Sequence, residues 1–425
     1  MSTPTASRLS SALKKARSLD EVAVALEPHV PTLLGREARL DAIDGFRVHP
    51  LKDDGYGVEY RVRVGGQRPA ACAKDGAISL FGRLASERDV QGVAVAALDQ
   101  DVIAFPHDPR LRVLARLLAG TEPGVERFGL RGDAVVVAWR PLTRATLRME
   151  REGAPPIYLR MSGSRDRFAR VNAAARSAQA LDVGAPLFPG VAFEWPEAKA
   201  YALETAPGST LDATLERADA VTMAAIAVAL VRLGTAKAPT LPHHHAIDEA
   251  EVTARLLRRA LAVEPTMLGP AQAELTRLFD LARDLPQSRP AVVHRDLHDK
   301  QIVLAPDGTV TFLDPDTIAL GDPALDASNL AAHFELREMQ GRIPAGRAAE
   351  LTDALLSALR VAGLELDGAR LSYFRACSLL RLAAVYALRP HPERLVPHLL
   401  ERGRAVLDRH PRSSSVSLAI ERSAS

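Results

Sequence analysis

Between residues 43 and 165, apolar and polar positions alternate in short stretches broken by turn residues, the period-two texture of half-buried strands. "YGVEYRVRVGGQRPAACAKDGAISLFGRL" and "DAVVVAWRPLTRATLRMEREGAPPIYLRM" each read as three strands joined by turns, and their similar layouts point to a duplicated sheet motif. Between them, "VIAFPHDPRLRVLARLLAG" reads as a strand end, a Pro-framed turn and a helix. After Met161 the period becomes helical. "SRDRFARVNAAARSAQAL" predicts a helix over 165–181, capped by Ser164, with Asp166 in the first turn where the helix dipole favours negative charge. "GVAFEWPEAKAYALETAPGSTLDATL" predicts two strands meeting at a turn, then a Pro-Gly connector over 204–210. Residues 211–280 and 324–409 are helical in period, with one hairpin embedded between them. The start, "MSTPTASRLSSALKKARSLDEV", reads as an unstructured lead into a short polar helix, and the Ser-rich tail "PRSSSVSLAIERSAS" as frayed. The pattern predicts an α+β protein of two lobes, β-rich then helical, with a cleft where the connector joins them.

Composition narrows the function classes. A chain of 425 residues exceeds one modest core, which supports two lobes. With 54 Lys+Arg against 52 Asp+Glu, it lacks the charge excess of a dedicated nucleic-acid binder. Cys72 and Cys377 are far apart and outside any CxxC spacing, so neither a disulfide framework nor a thiolate zinc site is expected, and a reducing cytoplasm is. No apolar run reaches the roughly 18 residues of a membrane span, and the start lacks the apolar core of a signal peptide.

The candidate chemistry lies in "HRDLHDKQIVLAPDGTVTFLD", from His294 to Asp314. Asp307-Gly308 is a two-residue hairpin signal between runs of Ile, Val, Leu, Thr and Phe. With those residues as the turn, Pro306 pairs with Thr309, Ala305 with Val310, and Gln301 faces Asp314 at the open end. An amide oxygen beside a carboxylate is a donor set for a hard cation such as Mg²⁺. Asp296, entering the same end, is placed to orient a hydroxyl for attack on phosphorus. Together these residues point to phosphoryl transfer.

These residues carry a resemblance. "VVHRDLHDKQIVL" followed by "TFLDPDTIALGDPALD" resembles the catalytic-loop and metal-loop pair of the aminoglycoside phosphotransferase and choline kinase family, within the protein-kinase-like superfamily. The resemblance is strong over residues 290–330 and, over 130–290, rests chiefly on element order. It implies Asp296 as catalytic base, Gln301 at a metal-binding Asn position, Asp314 as metal ligand, Asp316 as a secondary metal or substrate ligand, and His294, Asp322 and Asp326 as structural support. It also implies a nucleotide-binding lobe with a basic residue on a strand, for which Arg160 in "PIYLR" stands where the family has Lys. Glu204 and Ala206 fall at the hinge that would meet an adenine, and Arg144 at the turn where a Gly-rich phosphate loop is absent.

Two departures bear on activity. The 165–181 helix contains no Glu to hold Arg160, and Arg presents a planar fork where Lys presents a point charge. A rival alignment uses the first strand unit, with Lys74 or Arg83 as the basic residue and Glu87 as its partner. The favoured division is residues 1–120 as an N-terminal elaboration, extending the sheet or forming part of a substrate lid, 121–205 as the nucleotide lobe, 206–411 as the helical lobe and 412–425 as a tail. Outside the hairpin, His243, His244 and His245 read as a polar loop or the edge of the acceptor site. His107 and Asp108 read as structural, and Arg375, Arg381 and Arg389 as a helical stripe near that acceptor side. The expectation is an ATP- and Mg²⁺-dependent cytoplasmic kinase acting on a hydroxyl of a small molecule, with no nucleic-acid or membrane partner. The competing class is a nucleotide-binding kinase-like protein without turnover.

Overall fold

The computed structural model describes residues 6–51, 55–65, 77–84, 92–181, 183–237, 240–285 and 288–409. The N-terminal lead and the tail, together with Cys72, Lys74 and Glu87, lie outside them. Three helices, α1 (Ala6–Arg17), α2 (Leu19–Leu26) and α3 (Val30–Leu34), precede a five-stranded antiparallel sheet. Its strands are β1 (Arg39–Pro50), β2 (Tyr56–Gly65), β3 (Ile78–Leu84), β4 (Val93–Val95) and β5 (Gln100–Ala104), in the order β1-β2-β3-β5-β4.

After helix α4 (Leu114–Leu118) a second antiparallel sheet repeats that order as β6-β7-β8-β10-β9. It contains β6 (Leu130–Arg140), β7 (Arg144–Arg151), β8 (Ala154–Ser162), β9 (Val191–Trp195) and β10 (Ala200–Glu204), with helix α5 (Arg165–Gln179) between β8 and β9. The likeness extends to local geometry. In each sheet the last two strands are joined by a 3₁₀ turn ending on a left-handed residue, Asp99 at φ 55° and Lys199 at φ 53°. Aligning those turns sets Asp101 beside Tyr201, and their cross-strand partners are Arg83 and Arg160. Arg83, the rival basic residue, is therefore the counterpart of Arg160 in a duplicated motif.

The two sheets are separate, so the first unit does not extend the second. One face of the first sheet shares a continuous apolar core with the helical half, joining Val58, Tyr60 and Val62 to Tyr373, Leu380 and Leu399. Its other face meets the second sheet through Phe81, Ile103, Leu142 and Trp139. Asp108, in the Pro-framed turn, ties the two units: it accepts from Trp139 Nε1 at 3.1 Å and from the Leu142 amide at 2.7 Å.

The helical half contains α6 (Leu211–Thr214), α7 (Ala220–Gly234), α8 (Ala246–Leu261), α9 (Pro265–Leu268), α10 (Ala271–Asp284), α11 (Ala324–Met339), α12 (Arg347–Val361), α13 (Gly368–Ala387) and α14 (Val396–Asp408). Two small sheets carry the chemistry-bearing loops: β11 (Ser209–Thr210) with β14 (Ile302–Leu304) and β15 (Val310–Phe312), and β12 (His243–His244) with β13 (Ala291–Val293) and β16 (Ala319–Gly321). Among the described residues no helix is long and apolar enough to cross a membrane.

The embedded hairpin differs from the sequence expectation by one residue of register. Ile302 pairs with Phe312 and Leu304 with Val310, and the ladder closes where the Ala305 amide donates to the Thr309 carbonyl at 2.9 Å. The loop is therefore three residues, Pro306, Asp307 and Gly308. Asp307 Oδ1 accepts from the Thr309 amide at 2.9 Å, and Gly308 sits at φ +84°, where a side chain would be strained. A turn followed by a left-handed glycine is favoured over the two-residue form because the Asp side chain caps it. Gln301 accordingly lies opposite Leu313, whose amide donates to the Gln301 carbonyl at 2.8 Å, and Asp314 lies one residue beyond.

Candidate active site

The 294–296 loop is held by one carboxylate. Asp326, 2% exposed near the start of α11, accepts from the His294 amide at 2.7 Å and the Arg295 amide at 2.8 Å. This fixes Arg295 at φ 71°, a left-handed conformation costly for a residue with a Cβ, and the next side chain, Asp296, faces solvent. Asp296 has no hydrogen-bond or ion-pair partner among the described residues and lines a cavity of about 420 Å³. His294 is fully buried, with Nε2 2.7 Å from the Leu313 carbonyl, tying the loop to the strand that leads into Asp314. Asp322 accepts from the Ala324 amide at 2.9 Å at the head of α11 and from Arg370 Nη1 at 2.5 Å.

Beyond the hairpin, Asp314 is itself left-handed, at φ 61°. Arg160, reaching from β8, donates to Asp314 Oδ1 at 2.6 Å and to Asp316 Oδ2 at 3.2 Å. Arg144 lies 3.6 Å from Asp314 Oδ2, and Arg167, from the first turn of α5, donates to Asp316 Oδ2 at 3.4 Å. Burial alone would raise the Asp314 carboxyl, but the charges of Arg160 and Arg144 overcome this and hold it well below the usual carboxylate range. Asp316 moves the other way: burial pushes it up, Arg160 offsets part of the rise, and the adjacent Asp314 charge adds to it. Arg140, at the end of β6, is pulled down to about 10, first by desolvation and then by the charges of Arg144, Arg47, Arg167 and Arg259.

The oxygen set fits a hard cation on one count and competes with it on another. Gln301 Oε1 and Asp316 Oδ1 are buried and accept no hydrogen bond among the described residues, and Asp316 shares Arg160 with Asp314. Asp314, however, is already paired with a guanidinium. In place of a glycine loop, β6 and β7 are joined by the tight turn Pro141 to Thr143, with Leu142 at φ 59° pinned by Asp108 and with Arg140 and Arg144 at its base.

At the hinge, the Glu204 amide donates to the Gly190 carbonyl at 2.9 Å, and its carboxylate takes Arg151 at 2.6 and 3.1 Å. Its amide is thus engaged within the lobe, and Ala206 lies half-buried in the connector. The histidine run is dispersed by secondary structure. His244 is buried, with Nε2 2.8 Å from Glu249 Oε2, and the His245 amide donates to Asp248 at the start of α8.

Sequence reasoning passed over the residues that surround this core. Arg167 joins Arg140 and Arg144, which the sequence had placed at the β6–β7 turn, in the cationic wall, and Asp299, fully buried, receives Arg337 at 2.7 and 2.9 Å. His298 and His333 stack at 4.6 Å beside it. The acidic residue after His298 was a usable signal, because a buried Asp on a helical turn requires a cation from elsewhere in the fold. Nothing in the local sequence identifies that cation as Arg337.

No curated protein matches the chain in sequence. Among solved structures, a choline/ethanolamine kinase family protein from Mesorhizobium loti is 16% identical, with 69% of this chain and 93% of that chain covered and a TM-score of 0.48. A choline kinase from Cryptosporidium parvum is 12% identical, with coverage of 70% and 96% and a TM-score of 0.48. A macrolide 2'-phosphotransferase from Brachybacterium faecium is 16% identical, with coverage of 63% and 96% and a TM-score of 0.43. Residues 162–364 match the family model described as the phosphotransferase enzyme family. That segment spans α5, the 204–210 connector, the 294–296 loop and the aspartates after the hairpin, and over it the chain is similar to the phosphotransferase enzyme family.

Proposed function

We propose that this phosphotransferase moves the terminal phosphate of ATP to a hydroxyl of a small molecule, with residues 121–205 as the nucleotide lobe and 206–411 as the lobe that presents the acceptor. The observation that carries the reading is Asp296: an exposed carboxylate with no hydrogen-bond or ion-pair partner among the described residues, held by a strained and doubly hydrogen-bonded loop, in the lining of a cavity. A free carboxylate there accepts the proton of the acceptor hydroxyl as its oxygen bonds to phosphorus and the bond to ADP breaks. Arg160, with Arg144, would exchange Asp314 for phosphate oxygens, a match for the guanidinium fork. Asp314, Gln301 and Asp316 would then hold Mg²⁺, which supplies charge neutralisation along the phosphates.

A second reading, nucleotide binding without turnover, is favoured by the arginine pairing of Asp314 and by the absence of a Glu in α5 to hold Arg160. The two separate on one pair of measurements: thermal stabilisation by ATP with and without Mg²⁺, and ADP release across a panel of alcohols. Mg²⁺-dependent ADP release that disappears in Asp296→Asn supports transfer. Stabilisation by ATP alone, unchanged by Mg²⁺ and with no acceptor supporting turnover, supports the second reading.

A further inference from the structure

The cavity above Asp296 has a charge pattern that the transfer chemistry leaves unused. It lies between α8, α11, α13 and the catalytic loop. Among its described lining residues, Arg295, Lys300, Arg337, Arg381 and Arg389 are cationic, and Asp296 is the sole carboxylate. Two of these cations are neutralised from behind. Arg337 is held on both oxygens of Asp299, and Arg381 lies 2.6 Å from Glu249 and donates to Asn329 Oδ1 at 2.9 Å.

The other three have no carboxylate at ion-pair distance among the described residues, although the charges of Glu249, Asp248 and Asp326 act on Arg295. Arg295 donates from Nη1 to the Thr317 carbonyl at 3.3 Å, and its Nε is buried with no acceptor. Arg389 lies over the Tyr386 ring at 4.1 Å, and its Nε is likewise buried and unmatched. A guanidinium N–H out of water without an acceptor is costly, and an anion that supplies the acceptor recovers that cost with a charge-assisted bond. The remaining wall, with Val252, Leu256, Leu382 and Val385, is apolar and suits a carbon skeleton.

We propose that the acceptor is itself an acid: a small hydroxyl compound whose carboxylate or phosphate monoester is held by Arg389, Arg295 and Lys300 while its hydroxyl meets Asp296. A cationic acceptor, such as an amino sugar or a quaternary ammonium alcohol, would meet the like charges of Arg389, Lys300 and Arg295 and find one carboxylate in the lining, so the cavity rejects it. The assignment deepens the transfer reading of the Asp296 site and rests on it for the hydroxyl, though not for the anion.

Calorimetric titration of the full chain tests this as binding rather than turnover. The probes are glycerate for the carboxylate, glycerol 3-phosphate for the phosphate, and choline and kanamycin for the cations. At least one acid is expected to bind, with neither cation doing so. Arg389→Gln should weaken that binding on the order of tenfold or more, and Arg389→Lys should retain most of it. Far-UV circular dichroism confirms that both variants are folded, and saturating ADP should not displace the acid. The assignment is overturned if choline or kanamycin binds as tightly as the acids, if neither acid binds at millimolar concentration, if Arg389→Gln leaves acid binding unchanged, or if ADP displaces the acid. Acid binding with no ADP release from any pairing leaves the assignment standing and refutes the transfer reading. ADP release with kanamycin but with neither acid does the reverse.

Discussion

Replacing Asp326 by Asn keeps the shape of the side chain and removes half of what it does. Both carboxylate oxygens accept a backbone amide, at 2.7 and 2.8 Å, and the group is 2% exposed. An amide offers one oxygen, so one N–H of the 294–296 loop would face an NH₂ donor with no water to replace it. Losing a hydrogen bond to a charged acceptor costs about 1.5–3 kcal/mol, and the remaining bond becomes neutral and weaker, so a total near 3 kcal/mol is expected. Burial raises the Asp326 carboxyl, against the His294 charge and the two amides, and the lost desolvation penalty of the charge offsets part of that total. We therefore expect Asp326→Asn to lower stability by about 2 kcal/mol. Urea unfolding should be followed by far-UV circular dichroism, which weights the helical half, because Trp139 and Trp195 both lie in the second sheet. No other carboxylate among the described residues holds the amide of Arg295 at φ 71°, so the loop should relax and, on the transfer reading proposed above, phosphotransfer should fall more than about tenfold through misplacement of Asp296. A urea midpoint within error of the wild type, or full transfer activity, would refute the reasoning.

Three further outcomes follow from the same geometry. Arg337→Ala leaves Asp299 buried without its cation and should cost about 3–5 kcal/mol, whereas adding Asp299→Asn should recover much of that loss; equal instability of single and double variants in urea would count against the pairing. Gly208→Ala places a Cβ 2.0 Å from the Leu304 carbonyl oxygen at φ +111°, so the connector must separate from β14; a drop in melting temperature equivalent to more than about 1 kcal/mol is expected, and an unchanged one contradicts the close approach. His333 is held well below its usual value by burial first and then by His298, so its folded-state value lies under its unfolded one. Stability tied to it is present above about pH 6.5 and is lost as the pH falls toward the folded value. His333→Gln should flatten the decline in melting temperature between neutral and mildly acid pH, and an identical decline in both proteins would exclude His333 as its source.

The order of β-rich unit, capped helix, strand pair, connector and helical half was legible in the sequence, because periodicity and turn residues report local backbone preferences. Ser164 caps α5 as its position suggests, accepting from the Arg167 amide at 3.3 Å. The duplicated layout was visible as well, but its register was not: only the cross-strand pairs set Arg83 and Arg160 at equivalent positions. The hairpin register failed by one residue because the choice between a two- and a three-residue turn depends on the Asp307 side chain capping Thr309. The dipeptide alone leaves that choice open.

By itself the sequence determined the inventory: a fold of two textures, one loop dense in aspartates, and the family that residues 162–364 resemble. Those properties follow from neighbours in the chain, where backbone preference and side-chain periodicity act. Tertiary structure decided the charge states and the partners. It brought Arg160 from β8 and Arg144 from β7 onto Asp314, across more than 150 residues, and carried Arg389 to the cavity that Asp296 faces. Arginines are spread through the whole sequence, and their number says nothing about which are buried against a carboxylate and which are left without one. That distinction is a matter of distance and desolvation, which only the packed chain fixes.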